Sequence, residues 1–222
     1  MRHELVLGEW IVTTDNSAGI GEKPMDTVAA PDRLTAKFAT RVALLEQWAA
    51  GSEAEAVLLH NFSGADQWAE YVDGIEELLE EAGLHGIPVT GSSETNIETL
   101  QSGIAVTIFG KRTRSSAAAD LDWFVYGVPL SGEDVLERSW EVADMRKLRE
   151  ALQDGIVERV WPVGSKGVAH ETELLLSRKV QPVAEIDIFA SGGPSSCVLL
   201  GVRPERIGVM EMHFGNFLFP IK

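Results

Sequence analysis

The sequence predicts a mixed α/β protein: an N-terminal domain built on a mixed sheet with helices on one face, then a smaller α+β domain. Three observations carry this. Strand-like runs and longer runs of helical period alternate as β-β-α-β-α-β-β through residues 3 to 130. Of 222 residues, 45% are hydrophobic and 24% charged, both near globular averages. A chain of this length buries roughly 70% of the surface it exposes when unfolded, enough for one or two packed cores.

The elements follow in order. His3 to Leu7 and Trp10 to Thr14 read as two strands split by Gly8-Glu9, and Asp15 to Pro24 is rich in turn formers. From Pro31, a favourable first helical position, Leu34, Phe38, Val42 and Leu45 recur at helical spacing until Gly51. Ala56 to Asn61 has strand length. Trp68, Val72, Ile75, Leu79 and Ala82 trace a second apolar stripe, stopped by Gly83. Ile87 to Thr90 gives a strand, Gly91 to Asn96 a polar loop, and Gly103 to Gly110 a strand alternating through Ile104, Val106 and Ile108. Lys111 to Ala119 is a connector and Trp123 to Pro129 returns to strand character. The domain boundary falls near Gly132, giving domains 1–131 and 132–222. The second half holds a helix around Val142 to Leu152, a strand at Ile156 to Trp161, a helix from the Pro162–Gly167 turn to about Ser177, and strands at Val183 to Ile188, Cys197 to Val202 and Ile207 to Met212.

With 19 Lys and Arg against 34 Asp and Glu, the formal charge is −15. Such a surface repels phosphate backbones and anionic lipid, which argues against nucleic-acid and membrane partners. No stretch approaches the ~18 apolar residues of a membrane span, and the N-terminus lacks an apolar export core, so a cytoplasmic location is expected. The single cysteine, Cys197, sits in an apolar run and reads as a core thiol. Five scattered histidines form no metal motif, and no P-loop, Gly-x-Gly-x-x-Gly or Gly-x-Ser-x-Gly pattern occurs.

What remains is a set of carboxylates and one lysine at the ends of apolar elements. Asp15 closes a strand, Lys23 ends the turn punctuated by Gly19 and Gly21, and Asp26 lies just beyond. Freed N–H groups in such a turn form an anion nest, and carboxylates beside a lysine suit a polyphosphate with magnesium; the same residues also read as an ordinary solvated turn. Glu46 borders the apolar stripe of its helix, either paired with a base such as Arg41 or facing a metal. Glu94 follows a strand directly, where α/β proteins place ligand loops, or serves as a turn residue. Arg33, Lys37 and Arg41 form an i, i+4, i+8 stripe that either draws in an anion or pairs with local acids.

The order of Thr13-Thr-Asp-Asn-Ser-Ala-Gly-Ile-Gly-Glu-Lys23, Ala43-Leu-Leu-Glu46, Gly74-Ile-Glu-Glu-Leu-Leu-Glu-Glu-Ala-Gly83, Val89-Thr-Gly-Ser-Ser-Glu-Thr95 and Gly103-Ile-Ala-Val-Thr-Ile-Phe-Gly110 resembles the aminoimidazole ribonucleotide synthetase (PurM-like) superfamily. The resemblance covers residues 3 to 130 and continues loosely through Pro162–Gly167, Ala184–Asp187 and Ser191–Pro194. It implies a homodimer with ATP and Mg²⁺ near the subunit interface and a truncated second domain of the family's type. Lys23 and Asp15 would then be catalytic, with Gly19, Gly21, Lys23, Gly91, Ser93 and Thr95 on the nucleotide and Asp15, Asp26, Glu46 and Glu94 on metal. Glu46 stands where most members have aspartate, and Ser93-Glu94 replaces the usual Gly-Asp.

No N-terminal cysteine supports a selenophosphate synthetase, and the second half is shorter than in full-size synthetases and thiamine-monophosphate kinases. The chain is most similar to the α-ribazole kinase branch of cobalamin salvage. The expected function is phosphorylation of α-ribazole by ATP; the alternatives are another acceptor, as in the synthetases or thiamine-monophosphate kinases, and a non-catalytic nucleotide-binding dimer module.

Overall fold

A computed structural model describes residues 4–114, 120–179, 181, 183 and 185–221. The chain divides into two compact units, Met1–Arg114 and Ser115–Lys222. This division precedes the boundary expected near Gly132, because the strand containing Trp123 pairs within the second unit rather than the first.

The first unit runs β1 (Leu5–Leu7), β2 (Trp10–Ala18), β3 (Ile20–Gly21), β4 (Val28–Ala29), α1 (Asp32–Ala49), β5 (Ser52–Asn61), α2 (Trp68–Glu81), β6 (Val89–Ser93) and β7 (Gly103–Arg112). Its main sheet has the order β1-β2-β7-β5-β6, with β5 and β6 parallel and the other pairs antiparallel. The mixed sheet with helices on one face is the expected architecture. Strand β7 is the reason β2 is longer than its apolar run: its partner continues to Gly103, so the ladder carries β2 through Asp15 to Ala18. Asp15 therefore lies inside a strand instead of closing it. Likewise β6 extends through Gly91 to Ser93, in register with Leu59 to Asn61, where a loop was expected.

Helix α1 lies along β2 in the opposite direction. Thr13 Oγ1 donates to the Ala43 carbonyl at 2.7 Å, and Gln47 Nε2 donates to the Ile11 and Ile108 carbonyls at 3.0 and 2.7 Å. Ile11, Val57, Leu59, Val106 and Ile108 of the sheet are buried under Ala36, Ala43, Leu44 and Trp48. Helix α2 packs on α1 through Gly74, where an added Cβ would lie 2.0 Å from the Arg33 carbonyl oxygen; only glycine allows the two backbones this close. Lys37 joins Glu77 and Glu81 at 2.9 and 2.6 Å, and Arg33 joins Glu77 at 2.5 Å. Two members of the basic stripe thus serve as helix-to-helix ties, and Arg41, the third, is buried.

The second unit contains β8 (Asp122–Tyr126), α3 (Asp134–Glu137), α4 (Met145–Gln153), β9 (Arg159–Pro162), α5 (Gly167–Leu176), β10 (Val198–Val202), α6 (Ile207–Phe214) and β11 (Leu218–Pro220). Its antiparallel sheet has the order β11-β8-β10-β9. Trp123, Val125, Trp161, Val163, Val168, Cys197 and Leu199 share its core, with the Cys197 thiol fully buried there. Ile207 to Met212, expected as a strand, is helical. Its buried residues, Met210 and Phe214, are four apart, and Phe214 packs on Tyr126 with ring centroids 4.4 Å apart. Val183 to Ile188, also expected as a strand, turns at 185–188 and buries Ile186 and Ile188; residue 184 lies outside the described residues, as do 115–119 of the connector. Among the described residues no helix is long and apolar enough to cross a membrane.

Candidate functional site

The register of the first sheet brings β2, β5 and β6 to a common edge. Ser17, Ile104, Asn61 and Ser93 form one cross-strand row, and the loops at 19–30, 62–64 and 94–102 emerge beyond it. Side chains stitch these loops together. Asn61 Nδ2 donates to Ser93 Oγ at 2.9 Å, and Thr99 Oγ1 donates to the Phe62 carbonyl at 2.9 Å. Gly19 N–H donates to the Ser102 carbonyl at 2.9 Å, and Gln101 Nε2 to the Met25 carbonyl at 2.8 Å.

Lys23 sits within this cluster. Its Nζ donates to both the carbonyl and the hydroxyl oxygen of Thr99, each at 2.7 Å, using two of an ammonium's three donors. Asp26 fastens the two loops around it: Oδ1 accepts from Ser102 N–H at 2.7 Å, and Oδ2 from Ser102 Oγ at 2.8 Å and Lys23 N–H at 2.9 Å. Desolvation works against the charged form of Asp26, but these donors and the Lys23 charge outweigh it and hold the carboxyl below its usual range.

The glycines have local reasons. Gly19 has φ +68°, a conformation costly for other residues. At Gly21 a Cβ would meet Ser102 Oγ at 2.3 Å and Asp32 Oδ1 at 2.7 Å, and at Gly91 it would meet the Leu59 carbonyl at 1.8 Å. Gly21 and Gly91 are therefore points of close packing. Ser93 is half-buried on Asn61, and Thr95 is exposed.

The four carboxylates expected on one metal are spread apart. Asp15 lies three residues back from Ala18, about 10 Å down the strand, and Gly91, just before the Glu94 loop, is three strands from it, about 14 Å away. Glu46 is buried fourteen residues beyond Asp32 along α1, about 21 Å from the loop cluster, because the antiparallel helix carries it toward the Ile11 end of β2. Glu94 is at the surface with Oε1 accepting Asn96 N–H at 2.7 Å, chiefly through which its carboxyl is held below the usual range. Among the described residues no three His, Cys, Asp or Glu side chains group as a metal requires. These residues do not fit a protein-built magnesium cage.

Two features were missed by sequence reasoning. Asp32, at the first turn of α1, is buried and accepts from Tyr71 Oη at 3.2 Å; burial, with the Glu22 and Asp26 charges adding to it, pushes its carboxyl up. A carboxylate directly after Pro31 was a visible helix-start signal, but its burial depends on α2. The second is the face of the sheet away from the helices, where Leu7, Trp10, Val12, Ala56 and Phe109 line an apolar hollow of about 390 Å³. Leu5 and Leu7 stand more than half exposed beside it.

No protein-family model and no curated protein matches the sequence. Solved structures match its fold. The fold is shared with thiamine monophosphate kinase. The Aquifex aeolicus enzyme aligns with a TM-score of 0.65 at 13% identity, covering 98% of this chain and 85% of that one. AaThiL complexed with AMPPCP and TMP aligns at 0.63 and 13% identity, covering 98% and 82%. Hydrogenase maturation protein HypE in complex with ATP aligns at 0.59 and 10% identity, covering 99% and 77%. The expected mixed α/β fold is thus shared with these proteins over nearly the whole chain.

Asp15 gives this unit a pH dependence. Burial pushes its carboxyl from 3.8 up to about 6, opposed only by a backbone hydrogen bond at Asn16. The unfolded chain loses this proton near the ordinary value, whereas the folded chain keeps it to about 6, so unfolding releases a proton between these pH values and stability falls as pH rises. The group costs on the order of 1–3 kcal/mol above pH 6. In urea unfolding from pH 4 to 7, Asp15→Asn is expected to abolish that fall and to be the more stable protein at pH 7. Equal slopes for the two proteins would contradict the assignment.

Proposed function

We propose that the protein is an ATP-dependent phosphotransferase acting on a nucleoside-like alcohol, with α-ribazole the first acceptor to try. The observation that carries this reading is the Lys23 turn. An ammonium fixed by Thr99 keeps one donor in hand, on a turn clamped by Asp26 and bordered by Gly19, at the loop edge of a fold that related structures use to hold AMPPCP or ATP. Magnesium would come with the nucleotide as its counter-ion and offset phosphate charge, since such ions are commonly held by substrate with only one or two carboxylates. Glu94, whose Oε1 accepts the Asn96 N–H, is the surface carboxylate that would meet it.

In the reaction, the acceptor hydroxyl oxygen bonds to the γ-phosphorus as the bridging P–O bond breaks, releasing ADP and one proton. Lys23 would lie against the oxygens on which charge accumulates, and the ties from Thr99 and Asp26 keep it there without reorganisation during the transfer. Asp15, inside its strand, and Glu46, at the far end of α1, supply burial and packing in this reading rather than contact with phosphate.

A second reading, a nucleotide-binding module without turnover, is favoured by one observation: the separation of the acidic residues that the resemblance assigns to metal. One assay separates the two. Purified protein with MgATP and α-ribazole is expected to form ADP and α-ribazole 5′-phosphate, and Lys23→Ala to lower turnover about 100-fold. Acceptance of thiamine monophosphate or an amide instead would move the reading to another acceptor. Binding of AMPPCP with no turnover on any acceptor would establish the module.

We further propose that the open sheet face seats a second copy of the chain, because Leu5, Leu7, Trp10, Val12 and Phe109 form an apolar surface that, among the described residues, no helix of the first unit covers. Sedimentation at micromolar concentration is expected to read a dimer that Phe109→Glu converts to monomer. A wild-type monomer at that concentration contradicts the dimer.

A further inference from the structure

Tyr71, on α2, is fully buried, yet its hydroxyl lies at the junction of two separate routes to the Lys23 turn. On one side, Oη donates to Asp32 Oδ1 at 3.2 Å, and the Asp32 carboxylate also accepts the Glu22 backbone N–H and lies against Gly21. On the other, Ser63 Oγ is 2.7 Å from Tyr71 Oη and accepts Gly103 N–H at 2.9 Å. The next residue back, Ser102, is bound by Asp26, which holds Lys23 N–H. The two routes meet at Glu22 and Lys23, closing a ring of side-chain hydrogen bonds through three loops and the start of α1.

The proton count closes as well. With the tyrosine proton on Asp32, the Ser63 proton goes to Tyr71 Oη at 2.7 Å, the shorter of its two acceptors, the other being the Gly103 carbonyl at 3.3 Å, and Ser63 Oγ accepts the Gly103 N–H. Phenylalanine would fill the same volume, so packing alone does not require the hydroxyl. Burying it is costly unless it is bonded: desolvation pushes the Tyr71 phenol up to about 12.

We infer that the Tyr71 hydroxyl is a positioning group that sets the Lys23 turn, acting through Asp32 and Ser63 rather than by contact with any ligand. Its bearing on catalysis rests on the proposed phosphotransferase reading, but the positioning itself does not. Removal of the hydroxyl leaves the Asp32 carboxylate and the Ser63 hydroxyl each short of a partner and loosens both routes.

Residue-resolved amide hydrogen exchange on the unliganded full chain tests it. In Tyr71→Phe, exchange at Glu22, Lys23, Ser102 and Gly103 is expected to quicken by at least about tenfold, the change that loss of one ordinary hydrogen bond implies. Amides in the middle of β7 and α2 should keep their wild-type rates. Ser63→Ala is expected to give the same pattern, and the double variant no more than either alone, because both break one linkage. Uniformly faster exchange across the unit, or additive effects, would make Tyr71 an ordinary core residue and overturn the inference. Nucleotide kinetics add a separate readout: kcat should fall several-fold in Tyr71→Phe with KM for ATP little changed, because Lys23 acts on charge that develops during the transfer. A wild-type protein that neither binds nor turns over ATP would defeat the proposed function, while the exchange pattern would still decide the role of Tyr71.

Discussion

The architecture of the first unit depends on one constraint, the antiparallel pairing of β7 with β2 on one side and β5 on the other. Each ladder runs for nine register pairs, and together they fix where every neighbouring strand ends. A slip of one residue would turn Ile104, Val106 and Ile108 away from α1 and move all three loop exits. The register that buries the core is thus the register that gathers the loops at 19–30, 62–64 and 94–102. Core and site are not independent choices in this fold.

The acidic residues at that edge act mainly on the protein itself. Asp26 saturates both oxygens on Ser102 and Lys23, and Asp32 is spent on Tyr71 and Glu22. In a protein of charge −15 this matters, because unneutralised carboxylates would repel a triphosphate. Carboxylates engaged by backbone N–H groups offer less negative field than free ones, and the Lys23 ammonium is pinned among them. In the proposed reading, this lowers the repulsion that a phosphate chain would meet at the loop edge.

Much of this was legible in the chain. The alternation through Ile104, Val106 and Ile108 marked β7, and the stripes ended by Gly51 and Gly83 marked α1 and α2. Lys23 and Asp26 were visible as neighbours in a glycine-punctuated turn. The position of Glu46 was not, because helical periodicity says which face a residue takes but not which end of the sheet the helix approaches. Asp15 and Gly91 looked like loop residues since local composition there is polar; the ladder partner, distant in sequence, made them strand. Ile207 to Met212 carried β-branched and long apolar residues equally suited to either state, and the contact of Phe214 with Tyr126 decided for helix. Tyr71 offered no signal at all, because a tyrosine at a core position in a helix reads as packing until its hydroxyl partners are known.

The central claim is that the loop edge of the first sheet, around Lys23, is where a nucleotide phosphate chain binds. Amide exchange with and without Mg·AMPPCP tests it most directly. The account predicts protection concentrated at residues 19–26 and 94–103. Protection confined to other segments, or none at saturating nucleotide, would contradict it.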